Sequence, residues 1–214
     1  MAGTIRGISF DFNGTLSDDE PILYSIYRDL FAERGRPLGE QDYYGQLAGL
    51  SEEAIISGWL DVDGEELASL VAERVERYRE RAADGSTVSD DVRAAVRYAA
   101  ERVPVVVVSG AFRAEIEPVL EASGLASFFT HLVTADDVAH GKPNPQGYEQ
   151  AMALLRLSPP EVVALEDTEA GVAAATSAGL RCVAVAGTLP RERLARADEI
   201  VDTIDVPLVA RLLG

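Results

Sequence analysis

The chain has 214 residues, enough for one sizeable core or a core with a modest insert, and its 47% hydrophobic and 26% charged content excludes a disordered protein. Its 36 acidic against 19 basic residues give a formal charge of -17, so most of the surface repels a nucleic-acid backbone or an anionic membrane, and neither is expected as a partner. One Cys and two His exclude an intramolecular disulfide and argue against a zinc centre, and with no signal peptide or membrane-length apolar run the expected location is the cytoplasm.

Residues 4–10, "TIRGISF", read as a strand that runs into Asp11 and a Gly-containing loop, "FDFNGTLSDD". Residues 19–87 contain no convincing strand. In "EELASLVAERVERYRER" Leu67, Leu70, Val71, Arg74, Val75 and Tyr78 fall at helical spacing, so the block reads as an all-helical insert. Further on, "VPVVVVSG", "THLVTADD", "EVVALEDT" and "RCVAVAG" repeat the strand-then-loop grammar, at 103–110, 130–137, 161–168 and 181–187. Helical patterns lie between them, at Val92 to Ala99, Ile116 to Leu120, Tyr148 to Leu155 and 169–178. Strands apolar throughout, alternating with helices, predict a doubly wound α/β domain with a parallel sheet covered on both faces. The expected division is a core of 1–18 and 88–214 and a helical domain of 19–87.

In such a sheet, ligands bind beyond the carboxyl ends of the strands. The residues expected there are Asp11, Asn13, Ser109, Lys142, Glu166 and Asp167. Oxygen ligands with one Lys make an inventory suited to phosphate and Mg2+, which takes one or two carboxylates and completes its shell with water and phosphate. Asp11 and Asp167 supply the carboxylates, and the backbone carbonyl at position 13 is available whatever its side chain. A carboxylate such as Asp11 can also attack phosphorus, with Gly14 letting backbone approach the anion. Lys142, Ser109 and loop N–H groups can then stabilise the transferring oxygens.

Other acids carry plainer readings. Asp18, Asp19 and Glu20 precede a helical pattern and are expected as cap and first-turn acids, with Asp136, Asp137 and Glu169 in similar roles. His131 and His140 have no partner at ligand spacing. Trp59 and the tyrosines of the insert are expected to pack helices together, and Cys182 to lie in the core.

These residues resemble the haloacid dehalogenase superfamily, in the β-phosphoglucomutase and phosphoglycolate-phosphatase group with a helical cap. The family's D-x-D-G-T motif is met by residues 11–15 with Asn13 for the second Asp; its strand-ending Ser by Ser109; its G-K-P-x-P by "GKPNP" at Lys142; and its fourth motif by "EDTEAGVAAATSAGL" at 166–180. The resemblance implies a Rossmann-like core and a phosphatase of a small phosphorylated metabolite, either a monomer or a weak homodimer. It implies Asp11 as nucleophile, Gly14, Ser109, Gly110 and Lys142 around the phosphoryl group, and Mg2+ held by Asp11, the residue-13 carbonyl, Asp167 and Glu166, with the insert acting as a lid.

Two departures stand out. The family's second Asp is its general acid and base, and the amide of Asn13 can do neither, a loss of about 10²–10⁴ in rate. A mutase of this group needs a His and an Arg where this chain has Leu23 and Glu52. The alternatives to a phosphatase are therefore a weak or inactive phosphate-binding protein and, further off, a phosphomutase or a haloacid dehalogenase. Asn13 stays open between a native residue, a substitution made to trap a complex, and a deamidation site, since Asn before Gly is prone to hydrolysis.

Overall fold

A computed structural model describes residues 4–214. Its scaffold is a six-stranded parallel sheet of β1 (Gly7–Phe10), β2 (Val105–Val108), β3 (Phe129–Val133), β4 (Val162–Glu166), β5 (Arg181–Val185) and β6 (Glu199–Val201). The strand order is β3-β2-β1-β4-β5-β6, so strand order reverses between β1 and β4. The expected α/β class stands. The strands are shorter than the apolar runs, because the last residues of each run leave the sheet as loop. β6 was not expected: three half-buried residues pairing only with β5 are too short to show a period.

The continuous apolar runs follow from burial on both faces. Val105 and Val107 of β2 enter one cluster with α5 (Asp90–Ala100), α6 (Arg113–Ala122) and α9 (Val206–Leu213). Val106 and Val108 enter the other, under α7 (Gln146–Leu155) and α8 (Glu169–Ser177). Cys182 lies buried in that second cluster, as expected.

Between β1 and α5 come α1 (Glu20–Ala32), α2 (Glu40–Asp42) running into a π-helical turn at Tyr43–Leu47, α3 (Glu52–Leu60) and α4 (Gly64–Ala82). α4 has Glu65 and Glu66 in its first turn and Arg79 and Arg81 in its last, which complements its dipole. Its buried stripe contains Leu70, Val71, Arg74 and Tyr78, and it packs on α1, α3 and α6. Trp59 stacks on Phe31 and donates to the Arg36 carbonyl at 2.9 Å, a helix-packing role as expected. The chain leaves the sheet and returns to it side by side. Ser17 Oγ donates to Thr87 Oγ1 at 2.7 Å, and the Asp18 N–H donates to the Thr87 carbonyl at 2.9 Å. Among the described residues no helix is long and apolar enough to cross a membrane.

Candidate active site

The site begins where β1 ends. The Asp11 N–H donates to the Leu165 carbonyl at 2.9 Å, extending the β1–β4 pairing and fixing Asp11 at the point where strand order reverses. The loop then tightens around one acceptor, as the N–H groups of Thr15, Leu16 and Ser17 all point at the Phe12 carbonyl at 3.2, 2.9 and 3.0 Å. Gly14 has φ +70°, and a Cβ there would lie 1.9 Å from Asp167 Oδ2 and 2.4 Å from Thr188 Oγ1. The glycine was expected to admit an outside anion. The carboxyl of Asp167 packs against it in this structure, and the other Asp167 oxygen accepts from Thr15 Oγ1 at 3.3 Å.

Asp167 follows β4 and meets Asp11 and Glu166 so closely that one carboxylate oxygen from each lies within 4.8 Å of the others. Lys142 Nζ lies 2.5 Å from Asp11 Oδ1 and 2.5 Å from Glu166 Oε1, while the Tyr148 hydroxyl also donates to Glu166. Burial disfavours the ammonium, but the two carboxylates outweigh it and hold Lys142 above its ordinary range. Burial pushes Glu166 up to about 7, with Lys142 pulling it down and Asp11 pushing it up. Asp167 is raised well above its ordinary value by burial and then by Asp11 and Glu166. Asp167 Oδ2 and Glu166 Oε2 are buried with no hydrogen-bond partner among the described residues. Three hard oxygen donors, two of them with orphaned atoms, suit a divalent cation that would relieve their repulsion.

Asn13 turns its amide away from these acids. Its Nδ2 donates to Asp19 Oδ2 at 2.9 Å, Asp19 Oδ1 accepts from the Gly14 N–H at 3.3 Å, and the Tyr78 hydroxyl donates to Asp19 Oδ2. Asp19 was expected to cap a helix. It stands at the N-cap of α1, yet its side chain makes no capping bond, because the Asn13 loop and Tyr78 of α4 have claimed both oxygens. It is fully buried, and burial raises it to about 6 against those hydrogen bonds. Glu20 is in the first turn as expected, but it is buried and accepts from the Tyr43 hydroxyl at 2.9 Å. Tyr43 and Tyr78 thus do more than the packing expected of them. Asp18 is exposed.

The Ser109 N–H donates to the Val133 carbonyl at 2.9 Å, and its hydroxyl accepts from the Ala111 N–H at 3.1 Å. Open space faces Gly110. A cavity of about 330 Å³ joins Asp11, Asn13, Ser109, Gly110, Lys142 and Asp167 on the sheet side. Gly14 and Glu166 do not line this cavity: Gly14 packs against Asp167, and Glu166 pairs with Lys142. The helical side contributes Glu20, Leu23, Tyr27, Tyr43, Glu52 and Arg74. Arg74, only 1% exposed, lies over the rings of Tyr27 and Tyr78 and pairs with Glu52 at 3.4 Å and with Glu115 of α6. Its place on the apolar stripe was the one sequence signal that it is buried. His131 is half-buried in β3, and His140 is exposed at the rim. Asp137 caps the turn begun by Thr134, and Glu169 lies in the first turn of α8, both as expected.

The family model described as haloacid dehalogenase-like hydrolase matches residues 5–179. The validoxylamine A 7'-phosphate phosphatase of Streptomyces hygroscopicus subsp. limoneus is 31% identical over 194 residues, covering 90% of this chain and 91% of that one. The phosphoglycolate phosphatase of Yersinia pseudotuberculosis is 28% identical over 185 residues, covering 84% and 80%. Among solved structures, a variant of CbbY from Rhodobacter sphaeroides in complex with xylulose-1,5-bisphosphate superimposes with a TM-score of 0.84 at 26% identity, covering 94% and 95%.

Proposed function

This chain belongs to the haloacid dehalogenase-like hydrolase family and is a phosphoric monoester hydrolase of small phosphorylated molecules, and we propose that it works through an aspartyl-phosphate on Asp11. The carrying observation is the placement of Asp11 and Asp167 just past adjoining strands where strand order reverses, with Lys142 joining Asp11 to Glu166.

Lys142 holds one oxygen of Asp11, which fixes the carboxylate and leaves its other oxygen to attack phosphorus. The Asp11–phosphorus bond forms as the bond to the substrate's alcohol oxygen breaks, and a water later displaces Asp11 to release phosphate. The Ser109 hydroxyl and the Gly110 N–H stand at the open end of their strand to bond the phosphoryl oxygens, and the Lys142 ammonium offsets their charge. Mg2+ held by Asp11, Asp167 and the residue-13 carbonyl, with Glu166 beside it, would neutralise the phosphoryl charge. Residues 19–87 form a lid over the sheet-borne residues of 1–18 and 88–214, hinged where Ser17 and Asp18 meet Thr87. Leu23 and Glu52 give the lid an apolar and an acidic face where a mutase needs His and Arg, which favours hydrolysis over mutase chemistry.

Hydrolysis of p-nitrophenyl phosphate tests the reading, with and without Mg2+, in the wild type and in Asp11→Ala. Turnover that requires Mg2+ and disappears in Asp11→Ala is expected. Unchanged turnover in Asp11→Ala refutes it, and phosphate binding without turnover by the wild type would favour the weak or inactive binding protein to which Asn13 points.

A further inference from the structure

When an alkyl phosphate monoester is cleaved, the alcohol departs as an alkoxide that must take up a proton, and the water that later attacks must lose one. The amide of Asn13 can carry neither, so another group in the cavity has to. Lys142 is held charged between Asp11 and Glu166, and Asp167 belongs to the buried acidic cluster. Glu52 is paired with Arg74, and Glu53 and His140 are exposed at the rim. Asp19 does not reach the cavity, being closed off behind Asn13 and Tyr78.

Glu20 is left. It lines the cavity with Asp11 and is 9% exposed; among the described residues no cation pairs with it, and the Tyr43 hydroxyl steadies it by a hydrogen bond. We infer that Glu20 is a catalytic residue that protonates the leaving oxygen and then takes the proton of the attacking water, a role that rests on the aspartyl-phosphate reading above.

The steps balance. As the Asp11–phosphorus bond forms, the electron pair of the breaking phosphorus–oxygen bond goes to the alcohol oxygen, which takes the Glu20 proton. The Glu20 carboxylate then removes a proton from water as its oxygen attacks phosphorus. The electron pair of the Asp11–phosphorus bond returns to Asp11, and Glu20 is protonated again. Both forms of Glu20 are populated near neutral pH, since burial pushes it up to about 7. The charged and titratable groups facing it are Tyr43 and Tyr44 of the π-helical turn, Asp19 at its own helix start, Arg74 of α4, and Asp11 and Asp167 of the sheet. Tyr43 and Arg74 pull its pKa down, while Asp19 and Asp11 push it up.

Glu20→Gln keeps the shape and the bond from Tyr43 but removes the proton, and leaving-group dependence reads out its effect. With an alkyl phosphate such as glycerol 3-phosphate or a sugar monophosphate that the wild type hydrolyses, kcat is expected to fall about 10²–10⁴-fold. With p-nitrophenyl phosphate, whose leaving group needs no proton, Glu20→Gln is expected to release a burst of one p-nitrophenol per enzyme. It then stalls as a phosphoenzyme seen by intact mass. Adding Asn13→Asp to Glu20→Gln is expected to recover at least tenfold of the alkyl rate. If Glu20→Gln misfolds, Tyr43→Phe replaces it. Losing the donor raises the Glu20 pKa, so the pH–rate profile is expected to move to higher pH, and an unmoved profile overturns the inference. An alkyl rate within twofold of wild type, or equal losses on both substrates without a burst, also overturns it. Full activity of Asp11→Ala would instead remove the aspartyl-phosphate itself, so the two failures are distinct.

Discussion

Arg74→Met removes a buried cation held between two buried carboxylates. The guanidinium sits between Glu52 and Glu115, which are 8% and 0% exposed, and the pair with Glu115 ties the helical block to α6. Met fills much of the same space and leaves two buried carboxylates without a cation. Breaking a buried pair from one side costs about 3–5 kcal/mol. For a chain of this size that lowers Tm by about 6–20 °C. The loss depends on pH. Burial already raises Glu115 to about 7 with Arg74 pulling against it, and without Arg74 it rises further. Its unfolded value is about 4.3, so as pH rises the unfolded chain gives up its proton first and stability falls until the folded pKa is passed. The variant's deficit is therefore expected to be larger at about pH 8 than at about pH 5.5, where the acids hold protons. Thermal melts of wild type, Arg74→Met, and Arg74→Met combined with Glu52→Gln and Glu115→Gln check this. The triple variant is expected to recover part of the loss. A Tm within about 2 °C of wild type, or a deficit no larger at the higher pH, refutes the reasoning.

In an open helical position Gly171→Ala would gain up to about 1 kcal/mol of helix propensity. Here the new Cβ would lie 1.8 Å from Glu166 Oε2. Overpacking of about 1–3 kcal/mol offsets or exceeds the gain, so Tm is expected to fall by up to about 8 °C, with recovery when Glu166→Asp shortens the opposing side chain; a rise in Tm for the single variant contradicts the packing argument. Lys142→Met leaves Asp11, Glu166 and Asp167 facing one another with no cation among them. Calorimetry should find the metal-free variant about 3–5 kcal/mol less stable, with millimolar Mg2+ restoring part of the difference. Equal losses with and without Mg2+ would count against a cation site there.

Asp11, Ser109 and Asp167 were legible because a residue that stops an apolar run in a parallel sheet sits at the carboxyl end of its strand, while Lys142 lies in the loop between β3 and α7 and was legible from its motif. Partners far along the chain were not legible. Asp19 has every local mark of a helix cap, and its bonds to the Asn13 loop and to Tyr78, in a different helix, keep it from being one. The bond between Glu20 and Tyr43 spans a turn with no period, and the two acids around Arg74 come from α3 and α6. The closeness of Asp167 to Gly14 was not legible either, since the spacing of a loop does not say which strand's acid will lie beneath it. β6 was missed because three residues are fewer than any pattern needs.

The locking of Gly14 bears on how this protein ages. Asn before Gly deamidates when the glycine nitrogen loses its proton and closes onto the asparagine side-chain carbon. Here that N–H is donated to the Ser17 carbonyl at 2.8 Å and to Asp19 at 3.3 Å, and the Asn13 amide is itself tied to Asp19 at 2.9 Å. The most fragile dipeptide in the loop is thus shielded for as long as the chain stays folded. A preparation stored cold should keep its mass, and one cycled through heat should gain the single dalton of an acid at position 13, so that the side chain serves as a chemical record of how often the molecule has unfolded.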